Sequence, residues 1–250
     1  MTVKSRGSVR VEAGLKRVRA YLNGELVADT RRPFLVWERP YYPTYYVPAS
    51  DVRAALIPAG ESQHSPSRGD GEVLHVKVAT ATAERAALRY PDSPLEQLRD
   101  LVRIDWNAMD EWLEEDEPVY THPRDPHKRV DILASSRHVR VEVDGVTVAE
   151  SRQPRILFET GLPARYYLPK THVRLDLLIP TDTVSHCPYK GQAEWWSVRV
   201  GDNVHQDLAW SYRTPLPESQ KIAGLIAFYN EKVDIYLDGE LQQRPSTKFA

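Results

Sequence analysis

The chain repeats itself, and the repeat limits how it can fold. Residues 17–29, Arg-Val-Arg-Ala-Tyr-Leu-Asn-Gly-Glu-Leu-Val-Ala-Asp, align with residues 138–150, His-Val-Arg-Val-Glu-Val-Asp-Gly-Val-Thr-Val-Ala-Glu. The same offset carries Tyr45-Tyr46-Val47-Pro48 onto Tyr166-Tyr167-Leu168-Pro169, and Val52-Arg53 onto Val173-Arg174. One residue is then gained, and His64-Ser65-Pro66-Ser67-Arg68-Gly69 faces His186-Cys187-Pro188-Tyr189-Lys190-Gly191. A unit this long is far larger than a solenoid repeat, so each copy must bury a core of its own. The pattern predicts a first copy over residues 1–117, a connector over 118–130 and a second copy over 131–250.

Each copy reads as β. Polar and apolar residues alternate on both sides of Asn23-Gly24, Asp144-Gly145 and Asp238-Gly239. Such pairs favour two-residue hairpin turns, because both central residues take positive φ. Further strands are expected at residues 34–38, 74–78, 155–159 and 195–200, and the apolar run 222–229 reads as another. Helix is sparse. Short helical turns are expected at 48–53 and 169–174, with Ser50 and Thr171 as caps. Residues 95–101 read as helical, and Trp106, Met109, Trp112 and Leu113 fall on one helical face. The acidic run 110–117 reads as a solvated helix face. The fold class is therefore all-β with minor helix: a tandem duplication of a small antiparallel domain, sandwich- or barrel-like.

Net charge is -2 over 250 residues, with 33 Lys and Arg against 35 Asp and Glu. That balance gives no basic footprint for nucleic acid or anionic lipid. No apolar run reaches the ~18 residues of a membrane span, and residues 1–6 lack the apolar core of a secretory signal. A single cysteine makes no internal disulfide and no Cys-rich zinc site. These features point to a cytoplasmic protein with no metal and no cofactor.

The run Thr183-Val184-Ser185-His186-Cys187-Pro188-Tyr189-Lys190-Gly191, followed by Trp195-Trp196-Ser197, resembles the signature of the domain of unknown function 427 family. Residues 207–212 (Asp-Leu-Ala-Trp-Ser-Tyr) and 222–229 (Ile-Ala-Gly-Leu-Ile-Ala-Phe-Tyr) do so too. The second copy resembles it almost end to end, and the first through Glu72. The resemblance implies a tandem member of the kind typical of actinobacteria, and a mostly antiparallel β domain of the β-tent type. The family also carries a nucleotidyltransferase label. This chain has no Gly-Ser followed by paired aspartates, the arrangement that would hold metal ions for that chemistry.

Candidate site residues cluster in the second copy. Cys187 offers a nucleophile or redox centre. Its neighbour His186 points to the opposite face if both lie on a strand. The first copy has Ser65 in place of Cys187, so the thiol is not needed to build the fold. His186 and Glu194, matched by His64 and Glu72, could serve as acid and base. Retention in both copies favours a structural role for them. Lys190 (Arg68 in the first copy) and Arg165 (Thr44) are cations able to meet an anion. The aromatics are the most informative. Tyr189, Trp195, Trp196 and Trp210 face Ser67, Val73, Leu74 and Leu88 in the first copy, and only Tyr212 keeps its ring, as Tyr90. Trp195 and Trp196 must point to opposite sides of a strand. The first copy has its own aromatic set: Trp37, Tyr41, Tyr42, Tyr45 and Tyr46.

These residues predict that the second domain binds a small ring-containing or anionic molecule. Tyr166, Tyr189, Trp196, Trp210 and Tyr212 would form its walls, with Lys190 or Arg165 as counter-ion. One alternative is a non-catalytic protein-interaction module using the same aromatics. Another is an enzyme using Cys187, or His186 with Glu194.

Overall fold

Alternation of apolar and polar residues along short segments, broken by Gly and Pro, gives strands throughout the chain. The computed structural model describes residues 9–247. The chain divides at Asp125 and Pro126 into two compact units. In the first lie β1 (Arg10–Ala13), β2 (Val18–Leu22), β3 (Glu25–Thr30), β4 (Phe34–Trp37), β5 (Thr44–Pro48) and β6 (Ala55–Ser65). They are followed by β7 (Gly69–Lys77), β8 (Thr82–Arg89), β9 (Leu101–Ile104), β10 (Glu111–Glu114) and β11 (Glu117–Pro118). Seven form an antiparallel sheet in the order β1-β4-β5-β9-β8-β7-β6, and four form a second sheet, β11-β10-β2-β3.

The second unit repeats this strand for strand. It contains β12 (Val130–Ala134), β13 (Val139–Val143), β14 (Val146–Ser151), β15 (Arg155–Glu159), β16 (Arg165–Tyr167) and β17 (Leu178–Cys187). Then come β18 (Gly191–Val200), β19 (Asn203–Ser211), β20 (Ile226–Phe228), β21 (Asp234–Leu237) and β22 (Glu240–Leu241). The small sheet is β14-β13-β21-β22, and the large one is split into β12-β15-β16 and β17-β18-β19-β20. A single bridge, Leu168 to Ile226, joins those two pieces. All three hairpin pairs carry positive φ on both residues: Asn23 49° and Gly24 75°, Asp144 50° and Gly145 75°, Asp238 56° and Gly239 90°.

Several local expectations give way to pairing. Residues 95–101 hold only a 3-10 turn at Glu96–Leu98 before β9 begins. Trp106, Met109 and Trp112 share no helix. Trp106 lies in a 3-10 turn, whereas Trp112 sits in β10 opposite Ala20 of β2. The acidic stretch is the β10–β11 hairpin rather than a helix face. The helical spacing there was incidental, and the unpaired edge of β2 captured the segment. The turns at Ala49–Asp51 and Lys170–His172 form without side-chain caps from Ser50 or Thr171. The apolar run 222–229 ends one 3-10 turn, Pro217–Ile222, before supplying β20.

Period-two alternation gives each large sheet two buried faces. In the first unit Tyr45, Val47, Leu74 and Ala87 face the small sheet and pack on Val18, Ala20 and Trp112. Tyr46, Val73, Leu88 and Tyr90 point to the other, outer face, under Leu98 of the 3-10 turn. In the second unit Val198, Leu208 and Phe228 meet the small sheet, while Tyr167, Trp195, Trp210 and Tyr212 lie on the outer face with Ile222. The outer faces carry the candidate sites.

Candidate functional site

The motif His186 to Gly191 is the β17–β18 hairpin. The amide of Lys190 donates to the carbonyl of Cys187 at 3.3 Å, with Pro188 and Tyr189 between, and Gly191 takes φ 96°. The fixed φ of proline suits the first corner of such a turn, and glycine supplies the positive φ at its end. The β6–β7 turn matches it, with the amide of Arg68 donating to Ser65 at 3.3 Å and Gly69 at φ 87°. As alternation requires, Cys187 shares a face with Trp195, and His186 shares the opposite face with Glu194 and Trp196. His186 is exposed. Glu194 pairs with Arg213 at 3.0 Å, and its counterpart Glu72 pairs with Arg89 at 2.5 Å. A cross-strand ion pair is thus a shared use of this glutamate.

Beneath the turn each unit holds the same buried polar frame. In the second, Lys190 Nζ donates to Glu159 Oε2 at 2.5 Å, with side chains 11% and 8% exposed. Burial works against the Lys190 charge, but the Cys187 thiol, Glu159 and Tyr167 outweigh it, and its pKa is raised. Burial pushes the Tyr167 phenol up to about 12 and the Tyr212 phenol well above its usual value. In the first unit Arg68 pairs with Glu38 at 2.6 Å, and Tyr46 donates to Glu38 at 2.5 Å. Arg68 also donates to Ser65 Oγ at 3.1 Å and lies over the Tyr90 ring. Glu38 and Glu159, and Tyr46 and Tyr167, occupy equivalent places in the two copies. Sequence reasoning gave Glu38, Glu159 and Tyr167 no site role and named Tyr46 only within the first copy's aromatic set. Their retention beside an equally retained cation was the available signal.

The predicted ligand residues fall into two groups. Arg165, Tyr189, Lys190, Trp210 and Tyr212 gather on the outer face, all buried. Tyr166 and Trp196 are on the inter-sheet side, packed against the core there. So Trp196 does not face Trp210. Instead Trp195 meets Trp210 at 5.3 Å, and both touch Tyr229, at 5.4 and 5.0 Å between ring centres. Trp210 Nε1 donates to Tyr167 Oη at 3.1 Å, and Trp195 Nε1 to Ser185 Oγ at 2.9 Å. Arg165 makes a two-pronged ion pair with Glu231, both bonds 2.6 Å, and lies 5.7 Å from the Trp210 ring centre. Thr247 gives Glu231 a further hydrogen bond at 2.6 Å. These rings are in contact with one another.

A family model described as a domain of unknown function (DUF427) matches residues 10–115 and again 131–239. The chain belongs to the DUF427 family. It is a tandem member, with one DUF427 domain in each unit. No curated protein matches it. Among the described residues, no helix is long and apolar enough to cross a membrane.

The first DUF427 domain carries an open aromatic cleft. It has a volume of about 110 Å³ and is walled by Tyr42, Tyr45, Trp106, Trp112 and His122, with Thr44 and Asn107 as polar lining. Tyr42 stacks on His122 with ring centres 3.9 Å apart, and Trp106 stacks on Trp112 at 4.7 Å with planes 4° apart. Trp112 Nε1 donates to the Trp106 carbonyl at 3.1 Å, which fixes the second pair. Tyr45 Oη donates to the buried Glu114 at 2.7 Å. By register Thr44 corresponds to Arg165, and by its place after the β9 turn Asn107 corresponds to Glu231. Arg165 and Glu231 thus take the places of two polar lining residues of the cleft, whereas its walls Tyr45 and Trp112 lie on the inter-sheet side.

Proposed function

We propose that this protein binds a small ring-containing molecule, and that the aromatic cleft of the first DUF427 domain is its seat. The observation that carries this reading is the pair of stacked ring sets on one cleft, Tyr42 with His122 and Trp106 with Trp112. A planar ligand edge gains dispersion and quadrupole contacts against such walls, and each aromatic pair contributes about 0.5–1.5 kcal/mol beyond area burial. Thr44 and Asn107 supply the few polar groups that orient a ligand in a mostly apolar site. The second-domain residues Arg165, Tyr189, Lys190, Trp210 and Tyr212 support a second seat, entered past the half-buried Tyr229 that caps their ring cluster. Its anion-binding form would use Lys190 or Arg165 after release from Glu159 or Glu231.

A thermal-shift screen of ring-containing metabolites on the full chain tests both. A hit whose stabilisation disappears in Trp106→Ala, with the variant folded, supports the first seat. A hit lost in Trp210→Ala but kept in Trp106→Ala moves the site to the second domain. No hit across a broad screen counts against small-molecule binding and favours an interaction surface, or chemistry at Cys187 or at His186 with Glu194.

A further inference from the structure

The first DUF427 domain has a further pocket, on the outer face of its seven-stranded sheet. Its volume is about 80 Å³, and Gln63, Val73, Arg85, Leu88, Arg103 and Asp105 line it. Register gives each of these a counterpart. Val73 faces Leu88 as Trp195 faces Trp210, and Leu88 faces Arg103 as Trp210 faces Ala227. Arg85 and Asp207 hold the same left-handed bulge, at φ 55° and 46°. Asp105 begins the turn that Tyr229 begins in the second domain, each carbonyl accepting from the amide three residues on. The pocket is therefore the place where the second domain stacks Trp195, Trp210 and Tyr229.

What replaces the rings is chemically directed. Two tryptophans become Val73 and Leu88, which vacates the volume, and Ala227 becomes Arg103, which puts a guanidinium at its wall. Arg103 is poorly satisfied by the protein. Its Nε is buried without a hydrogen bond, and its nearest carboxylates, Glu38 at 3.7 Å and Asp105 at 3.8 Å, are beyond hydrogen-bond reach. A buried donor left in this state is costly unless something else accepts from it. Arg85, exposed and ion-paired with Glu61, adds a second guanidinium at the mouth. Asp105 is held by the Asn107 amide at 2.9 Å, and as a carboxylate it can only accept.

We propose that this pocket is an oxyanion site for a small carboxylate- or phosphate-bearing molecule that also carries a hydroxyl or amino donor. Arg103 and Arg85 take the oxyanion, since guanidinium forks match carboxylate and phosphate oxygens. Asp105 takes the donor, which offsets the repulsion it would otherwise exert on an anion. At about 80 Å³ the pocket has room for only a few heavy atoms, which restricts the occupant to a small molecule or its oxyanion end. This site shares no lining residue with the aromatic cleft, although the turn Trp106–Ala108 that begins after Asp105 borders the cleft.

The test uses the full chain at low ionic strength with inorganic phosphate, L-malate and succinate as probes, read by thermal shift and calorimetry. Malate and succinate differ by one hydroxyl. Malate is expected to stabilise saturably and to bind at least severalfold more tightly than succinate. Arg103→Gln should abolish the shift. Leu88→Trp, which returns to the pocket the ring that the second domain has, should abolish it while leaving the unliganded melting temperature within a few degrees. The proposal is overturned if no probe shifts the melt, or if the shift survives both Arg103→Gln and Leu88→Trp. Equal binding of malate and succinate would overturn the role of Asp105.

Discussion

The Arg165–Glu231 pair of the second domain offers the sharpest perturbation. Its side chains are 10% and 0% exposed, and two 2.6 Å bonds join them in a fork. Removing one partner of such a pair leaves the other charge buried and costs about 3–5 kcal/mol. The two truncations should not be equal. Glu231→Ala leaves a guanidinium that keeps its positions 5.7 and 5.9 Å from the Trp210 and Tyr229 ring centres, worth about 0.5–1 kcal/mol. Arg165→Ala leaves a buried carboxylate that keeps the Thr247 hydrogen bond but loses its counter-ion, and it loses both ring contacts, so it should be the costlier change. Replacing both partners by what the first domain has, Arg165→Thr with Glu231→Asn, removes the stranded charge altogether. That double variant should cost less than the sum of the single ones, with a coupling of about 1–3 kcal/mol. Urea unfolding followed by tryptophan fluorescence and by amide signals of the second unit measures all four proteins. Single losses under about 1 kcal/mol that simply add would refute the reasoning, because that is how a solvent-screened surface pair behaves.

Two further outcomes follow from the same contacts. Burial pushes the Glu231 carboxyl up, but the Arg165 and Thr247 hydrogen bonds outweigh it, and its pKa lies below the ordinary 4.5. A depressed folded-state pKa contributes stability above the unfolded value that is lost as pH falls through the folded one. Glu231→Gln should therefore flatten the acid limb of stability below pH 4.5, and identical limbs in the two proteins would contradict this. Cys187→Ser places in the second turn the residue that the first already uses, where Ser65 accepts from Arg68. Its cost should stay below about 1 kcal/mol in a chemical melt, and a loss of several would mean that the thiol supports the Lys190 frame in a way serine cannot.

Much of the architecture was legible because the duplicated hairpins carry their own chemistry. Asn23-Gly24, Asp144-Gly145 and Asp238-Gly239 each demand positive φ, and strands must then run out from both sides. The misreading of residues 95–117 has a definite cause. Trp106, Met109 and Trp112 fall at helical spacing, yet Trp112 is paired with Ala20 across a strand edge that the sequence does not advertise. Pairing with distant chain overrode local periodicity. The polar frame was half visible. Lys190 and Cys187 stood out by type, whereas Glu159 and Tyr167 lie on other strands and become partners only once β15, β16 and β18 are assembled. Alternation did assign Trp195 and Trp196 to opposite faces, but it could not say which face held Trp210. Register alone settles that, through the direct Trp195–Trp210 pair.

A difference in aromatic content between duplicated domains has no fixed sign as a marker of a pocket. Interiors are packed to near-crystal density, so a large ring is as apt to close a volume as to wall one. Here Trp195, Trp210 and Tyr229 fill the outer face of the second domain by touching each other. The first domain, with Val73, Leu88 and Asp105 in those places, has an opening there. At the start of β5 the copies differ again, with Arg165 and Glu231 ion-paired in one at the positions where Thr44 and Asn107 line a cleft in the other. Since the backbone topology is shared, the side chains at these few registered positions decide where a ligand could enter. The copy that sequence comparison marks as depleted is the one whose depletion makes room. Binding measured separately on Trp106→Ala and Leu88→Trp is therefore a test of that difference between two DUF427 domains of one topology, because both substitutions fall in the copy that carries the openings.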